Sequence, residues 1–182
     1  MLVLIGASAS GKTEIAKILI EQHGFQKMIT TTTRKKRKGE VNHEDYHFIS
    51  SNKFQKMKEA SKFLETVQYN ENYYGTPTDG ATIDKVLIVD PNGANSIYEK
   101  KMEDTIFVLL ETDEETRKNR MLQRGDNLIQ VLDRLTKDDD YFSEKNINHI
   151  DYKMNTSTLT QDDLAGIIND LYHKHIKQVK SK

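Results

Sequence analysis

Gly6-Ala7-Ser8-Ala9-Ser10-Gly11-Lys12-Thr13 decides the fold of this chain of 182 residues. It follows Met1-Leu-Val-Leu-Ile5, a short apolar run around Val3 and Ile5 that reads as a fully buried strand. It precedes Glu14 to His23, where Ile15, Ala16, Ile18, Leu19 and Ile20 predict a largely buried helix that Gly24 stops. A strand, a Gly-x-x-x-x-Gly-Lys-Thr loop and a helix, in that order, give the phosphate-binding pattern its physical content. The N–H groups of Ala7 to Thr13 are expected to curl around an anion at the positive end of a helix. Lys12 is then placed to reach the β- and γ-phosphates, and the Thr13 hydroxyl to sit on Mg²⁺. Glycine makes up roughly 7% of ordinary proteins, so four fixed positions seldom coincide by chance between a strand and a helix. Ala9 or Ser10 has to take a backbone conformation that glycine adopts more easily. The stretch predicts a nucleoside triphosphate site.

Composition excludes several other classes. Lys and Arg number 27 against 28 Asp and Glu, so a net charge of −1 supplies no bulk attraction to nucleic acid or membrane. Cysteine is absent, which removes disulfides and thiolate metal sites and suits a reducing compartment. No apolar run approaches the length of a membrane span, and the N-terminus lacks the basic and apolar regions of a leader. One soluble, cytoplasmic domain is expected, without repeats or low-complexity tracts.

Along the chain, Phe25 to Ile29 reads as a second short strand running into Thr30 to Thr33. The basic run Arg34-Lys-Lys-Arg37-Lys38, followed by Gly39-Glu40, is either a solvated loop or a second anion site. Positive charge crowded beside a phosphate loop in a neutral chain favours the anion site. Asp45 to Ile49 predicts a strand, and Ser51 a cap for a helix carrying Phe54, Met57 and Ala60. Phe63 to Tyr69 alternates as a strand, while Asn70 to Pro77 reads as a loop. Lys85 to Val89 reads as a buried strand ending on Asp90. An acid in that place is the sequence form of a Mg²⁺-side carboxylate, although strands also end at an Asp that starts a turn.

Ala94 to Met102 predicts a helix and Thr105 to Leu110 a central strand. Thr112-x-x-Glu115 reads as a capping box for a helix that runs to Gly125 and carries Arg117, Arg120 and Arg124. Leu128, Val131, Leu132 and Leu135 keep helical spacing around Arg134. Ile150, Tyr152 and Met154 alternate as a last strand, and Thr160 caps a final helix with Leu164, Ile167, Ile168 and Leu171. Asp138-Asp139-Asp140 looks like a metal cluster, but successive helical residues point in different directions, so it reads as a solvated run. His173 and His175 fail as a metal pair for the same reason. Strands alternating with helices predict a parallel sheet covered on both faces, with phosphate at its carboxyl edge. The stretches 30–78 and 120–140 break the alternation and read as insertions over that edge.

Thr31-Thr-Thr-Arg34-x-x-Arg37-x-Gly39-Glu40, Asp45-Tyr46-x-Phe48, Phe63-Leu-Glu65 and Tyr73-Tyr74-Gly75-Thr76 follow the phosphate loop in this order. With it they resemble the guanylate kinase family over nearly the whole chain. The resemblance implies a P-loop three-layer α/β fold: a core at 1–29, 79–119 and 141–182 with a parallel sheet, a GMP-binding insert at 30–78, and a lid at 120–140. It implies Mg²⁺-dependent phosphoryl transfer from ATP to GMP, and to dGMP, giving ADP and GDP. ATP would lie on Gly6, Ala7, Ser8, Ala9, Ser10, Gly11, Lys12 and Thr13, with Arg120 and Arg124 closing over it and Thr13 on the metal. Arg34, Arg37 and the hydroxyls of Tyr46 and Tyr74 would hold the GMP phosphate, for which guanidinium is suited by permanent charge and bidentate geometry. Glu65 would take the guanine N1–H and 2-amino group, with the Thr30 and Thr76 hydroxyls beside the base. Asp90 matches the second acid of the family's acid-x-acid pair. Lys12, Arg34, Arg124 and Arg134 would stabilise the transferring group without a covalent intermediate. Nucleic acid, membrane and an obligate protein partner have no place in this scheme.

The chain departs from the family at Ala7 and Ala9, where Pro and Gly are usual, and at Ile88 and Asn92, where an acid and Gln are usual. The stretch from Thr76 to Asp90 is several residues shorter, and the acids and threonine that usually follow Arg124-Gly125 are missing. These changes bear on rate, metal geometry and lid motion more than on substrate identity. Three other readings compete. A different small-molecule or deoxynucleotide kinase on the same frame is the first: Glu65, Thr76 and the Arg34/Arg37 pair argue against a non-nucleotide acceptor, and assays across acceptors decide the rest. A non-catalytic binding module of this frame would not keep Gly11-Lys12-Thr13. An RNA-binding protein using Arg34 to Lys38 would need aromatic platforms that the sequence lacks.

Overall fold

The first strand, β1 (Leu2–Gly6), is buried at every residue, as an apolar run needs to be when strands flank both its edges. The computed structural model describes residues 1–37, 39–69, 71–102 and 104–181. After β1 come α1 (Lys12–Gln22), β2 (Gln26–Lys27), β3 (Thr31–Thr32), β4 (His47–Phe48) and α2 (Ser51–Glu59). There follow β5 (Phe63–Tyr69), β6 (Asn72–Pro77), β7 (Lys85–Val89), α3 (Pro91–Glu99) and β8 (Ile106–Glu111). The chain ends with α4 (Glu114–Gln123), α5 (Leu128–Tyr141), a 3₁₀ turn at Glu144–Asn146, β9 (Tyr152–Asn155) and α6 (Gln161–Lys180).

The core is a parallel five-stranded sheet in the order β2-β7-β1-β8-β9, with Leu2 opposite Val86 on one side and Ile106 on the other. Alternation sorts its two faces. Leu2, Leu4, Val86, Ile106 and Val108 pack against Ile15 and Leu19 of α1 and Leu164 and Ile168 of α6. Val3, Ile5, Leu87, Phe107 and Leu109 pack against Ala94 and Ile97 of α3. This is the expected α/β fold with a covered parallel sheet.

Residues 31–77 form a second, mixed sheet in the order β4-β3-β6-β5. Phe54 of α2 is fully buried beneath it, stacked 4.5 Å from Phe63 and 5.5 Å from Tyr73. A third cluster joins α4 to α5 through Met121, Val131 and Leu135, with Ala9 of the phosphate loop against it. Among the described residues no helix is long and apolar enough to cross a membrane.

Several local expectations are corrected. Asn72 to Pro77 is strand β6 rather than loop, because β5 offers it an antiparallel partner with Glu65 opposite Thr76; Asn70 lies outside the described residues. Helix α2 is capped by Ser50, whose hydroxyl accepts from the Lys53 N–H, rather than by Ser51. Helix α4 is capped by Asp113, which takes the Thr116 N–H at 2.7 Å. The Thr112 hydroxyl is instead 2.5 Å from that of Thr156. Strand β2 shrinks to two residues at the sheet edge, α3 begins at Pro91 and ends at Glu99, and Ile88 of β7 is exposed. Gly24 ends α1 as expected: at φ +76° it lets the N–H groups of His23 and Phe25 both reach the Leu19 carbonyl.

Candidate functional site

The loop after β1 turns tightly because Gly6 has no side chain. A Cβ there would stand 2.7 Å from the Leu110 carbonyl oxygen of the neighbouring strand. Ala9 adopts φ +61°, the left-handed conformation expected at Ala9 or Ser10. Lys12 folds back over the loop, its Nζ donating to the carbonyls of Gly6 at 2.5 Å and Ala7 at 2.7 Å. Burial lowers its pKa to about 8, against the opposing pull of Asp138 and with a further lowering from Arg117. Ser10 is buried inside the loop, and Thr13 is exposed at the start of α1.

Two clefts meet at Lys12. One, about 290 Å³, is lined by Ala9, Gly11, Lys12, Thr13, Arg120 and Arg124 together with Glu14 and Gln161. The other, about 490 Å³, lies between the core sheet and the second sheet. It brings Lys12 together with Thr30, Tyr46, Glu65, Tyr74, Thr76 and Asp90. Glu65 Oε1 accepts from the Thr76 hydroxyl at 2.5 Å across the β5–β6 pair. Burial raises the Glu65 pKa above the usual carboxylate range; Thr76 opposes the shift and Asp90 adds to it. Asp90 caps α3 through the Gly93 N–H at 2.8 Å and also accepts from the Tyr141 hydroxyl at 2.8 Å. The turn-starting role of an acid at a strand end is therefore present in Asp90, in the same cleft as Glu65.

Arg34 stands beside that cleft, its guanidinium 5.5 Å from the Tyr46 ring and 5.6 Å from the Phe48 ring. Both its terminal nitrogens donate to Glu40, at 3.0 and 2.6 Å. The Arg34 bond, helped by the Arg37 N–H, holds the Glu40 carboxyl down at about 2. Arg37 itself is exposed and is not gathered into either cleft. Lys38, the end of the basic run, lies outside the described residues.

The arginines of 120–140 divide. Arg120 is docked on the phosphate loop, donating to the Ala9 carbonyl at 3.1 Å and the Thr156 carbonyl at 3.0 Å. Arg124 and Arg134 are both drawn to Asp126, at 2.5 and 3.4 Å, and only Arg124 lines the loop cleft.

Four residues at the site went unassigned by sequence reasoning. Phe142 lies under the Lys12 ammonium, 5.8 Å from its ring centre, and Tyr141 holds Asp90. Asp138 was expected in solvent. Its Oδ2 instead accepts from the Ser8 N–H at 2.7 Å, with the nearly buried Arg117 guanidinium alongside at 3.6 Å. The signal was helical spacing: Asp138 falls seven residues after Val131, on the face of α5 that Val131 and Leu135 bury. Arg117 likewise sits four residues before buried Met121.

The family model "Guanylate kinase" matches residues 1–174. The guanylate kinase of Enterococcus faecalis is 35% identical over 141 residues, covering 73% of this chain and 69% of the relative. That of Wolbachia pipientis is 28% identical over 193 residues, covering 100% of this chain and 94% of the relative. In three dimensions the chain is similar to the crystal structure of guanylate kinase from Anaplasma phagocytophilum. The TM-score is 0.64 at 21% identity, over 96% of this chain and 84% of that one.

Proposed function

The chain belongs to the guanylate kinase family, and we propose that it moves the γ-phosphoryl group of ATP to GMP, with dGMP as a further acceptor. One observation carries the reading: Lys12 lines both the cleft of the phosphate loop and the cleft that holds Glu65, Thr76 and Tyr74. A group at that junction touches the donor and the acceptor sides of a transferring phosphoryl group at once. We assign the core to 1–29, 79–119 and 141–182, the acceptor-binding insert to 30–78 and the lid to 120–140.

ATP lies on the loop from Gly6 to Thr13, under Arg120 and Arg124. GMP enters the second cleft with its base on Glu65, Thr76, Thr30 and Asp90. Its phosphate meets Arg34, Tyr46 and Tyr74, with Arg37 closing from the exposed loop. A phosphate oxygen of GMP attacks the γ-phosphorus, the bond to the β–γ bridging oxygen breaks, and ADP leaves. The nucleophile is already ionised at neutral pH, so no base is required of the protein. The work of the side chains is alignment and neutralisation of charge by Lys12, Arg34, Arg124 and Arg134.

Mg²⁺ fits the donors present. Thr13 offers one hard hydroxyl oxygen at the loop, and among the described residues no group of three or more His, Cys, Asp or Glu is placed to hold a metal ion. Thr13 would therefore hold the ion together with phosphate oxygens of the nucleotide. Bound that way, Mg²⁺ neutralises charge on the triphosphate. The cytoplasm, with its nucleotide pools, is the place for this reaction, and no macromolecular partner is required.

The test is ADP formation from ATP with GMP, dGMP, AMP, CMP and UMP offered in turn. Turnover with GMP and dGMP far above the rest is expected. Equal turnover on all five, or none on GMP, would remove the reading in favour of another kinase or a binding module.

A further inference from the structure

Asp138 introduces an anion into a loop whose purpose is to bind one. Its Oδ2 takes the Ser8 N–H at 2.7 Å, and its side chain is only 15% exposed. The same oxygen lies 3.6 Å from Nη1 of Arg117, beyond hydrogen-bond distance. Arg117 is 4% exposed, and among the described residues only its Nη2 finds a hydrogen-bond partner, Asp139. Its Nε and Nη1 are buried with no hydrogen-bond partner among the described residues. Unpaired donors on a buried guanidinium are unusual and costly to leave unmade. One carboxylate thus sits between an occupied donor on the loop and an empty donor on a fixed cation.

We propose that Asp138 stands in for phosphate in the nucleotide-free protein, and that the incoming triphosphate displaces it from Ser8 onto Arg117. Two anions cannot share the Ser8 N–H, and a carboxylate beside three phosphates is repelled. A shift of under about 1 Å brings Oδ2 within hydrogen-bond distance of Nη1, which satisfies the buried guanidinium as the loop fills. Asp138 lies on the face of α5 that carries Val131 and Leu135, so the displacement is felt by the helix that bears Arg134. Until ATP arrives, the carboxylate keeps the loop donor paired and exerts an attractive pull on the Lys12 ammonium. Nucleotide affinity is held down in exchange for a loop whose Ser8 donor is already paired. This inference rests on the assignment of ATP to the loop.

The experiment measures equilibrium binding of a non-hydrolysable ATP analogue, of ADP and of GMP to wild type, Asp138→Asn and Asp138→Ala. Asn keeps an acceptor oxygen for Ser8 but removes the charge, and Asp139 remains as a partner for Arg117. Affinity for the analogue and for ADP should rise about tenfold in Asp138→Asn, since one like charge has left the site, while GMP affinity stays as it was. Equal or weaker ATP-analogue binding makes Asp138 a brace of the loop and overturns the proposal. Should both variants fail to fold, the wild type still decides. The ¹⁵N-labelled guanidinium of Arg117 should show new protection from solvent exchange when the ATP analogue is added, and unchanged Arg117 signals at saturation overturn the proposal. A wild type that binds no ATP analogue removes the assignment of ATP itself, an outcome distinct from normal binding with an indifferent Asp138.

Discussion

Replacing Glu65 by Gln should separate activity from stability. Glu65 stands in the acceptor cleft with Oε1 on the Thr76 hydroxyl. A carboxylate has only acceptors, and guanine offers two adjacent donors, N1–H and the 2-amino group. A hydrogen bond to a charged group contributes about 1.5–3 kcal/mol net. Gln keeps the shape but turns one acceptor into an NH₂, so one bond becomes neutral and the other becomes a donor facing a donor. The loss is about 3 kcal/mol, or roughly a hundredfold in kcat/KM for GMP. AMP has an unprotonated N1 and no 2-amino group, so it escapes that loss and the AMP-to-GMP activity ratio rises. In the free protein the effect runs the other way. Burial raises the Glu65 pKa, so the folded state binds this proton more readily than the unfolded chain. The resulting stability is fully present below the unfolded pKa and is lost as pH rises through the folded one. Above the folded pKa the ionised carboxylate is a burden that Gln removes, and in that range the variant should melt at the wild-type temperature or above it. The assay is kcat/KM for GMP and AMP at saturating ATP, with thermal melts alongside. An unchanged AMP-to-GMP ratio, or a GMP loss accompanied by a lower Tm, would refute the argument that Glu65 reads the base.

Lys12→Ala should abolish most turnover with little change in GMP affinity; a folded variant with near-normal kcat would contradict the place of Lys12 at the junction of the clefts. In the wild type, kcat/KM for ATP should fall on a basic limb beginning near pH 8. Lys12 has its pKa lowered to about 8 and loses its charge there; a flat profile to pH 10 would count against it. Arg37→Ala should raise KM for GMP and dGMP equally, by about tenfold, because the phosphate carries no base information. An unchanged KM would return the basic run to solvent. Gly75→Ala should lower stability by about 1–3 kcal/mol through overpacking. Its Cβ would stand 2.9 Å from Phe63 and 3.1 Å from Phe54, and an unaltered denaturation midpoint would show that this aromatic pair can give way.

What could be read without the structure was what is encoded over short distances. The phosphate loop is one such case: strand, glycines and helix are consecutive, and the pattern calls for a left-handed turn at Ala9 or Ser10, which falls at Ala9. The apolar runs of β1 and β8 and the cap at Thr160 are similarly local. Adjacent candidates for one role were harder to separate. Ser50 and Ser51, or Thr112 and Asp113, carry equally suitable oxygens, and the choice falls to the residue that enters the helix in extended backbone with its oxygen free. At Thr112 the hydroxyl was already taken by Thr156, 44 residues away.

Strand β6 and Asp138 show the boundary more sharply. Tyr73-Tyr74-Gly75-Thr76 is a strand because β5 and β3 supply hydrogen-bond partners on both sides, and Gly75 is admitted because two phenyl rings press on the place of its Cβ. Asp138 reads as solvated from sequence because it, Asp139 and Asp140 point in different directions around a helix and cannot gather on one cation. Its contacts are with Ser8, 130 residues earlier, and with Arg117 on another helix. Chemistry carried by the backbone and its immediate neighbours was determined by the sequence alone. Which polar group is buried, and against which partner, depended on desolvation and pairing between segments far apart in the chain, and only the tertiary structure decided it.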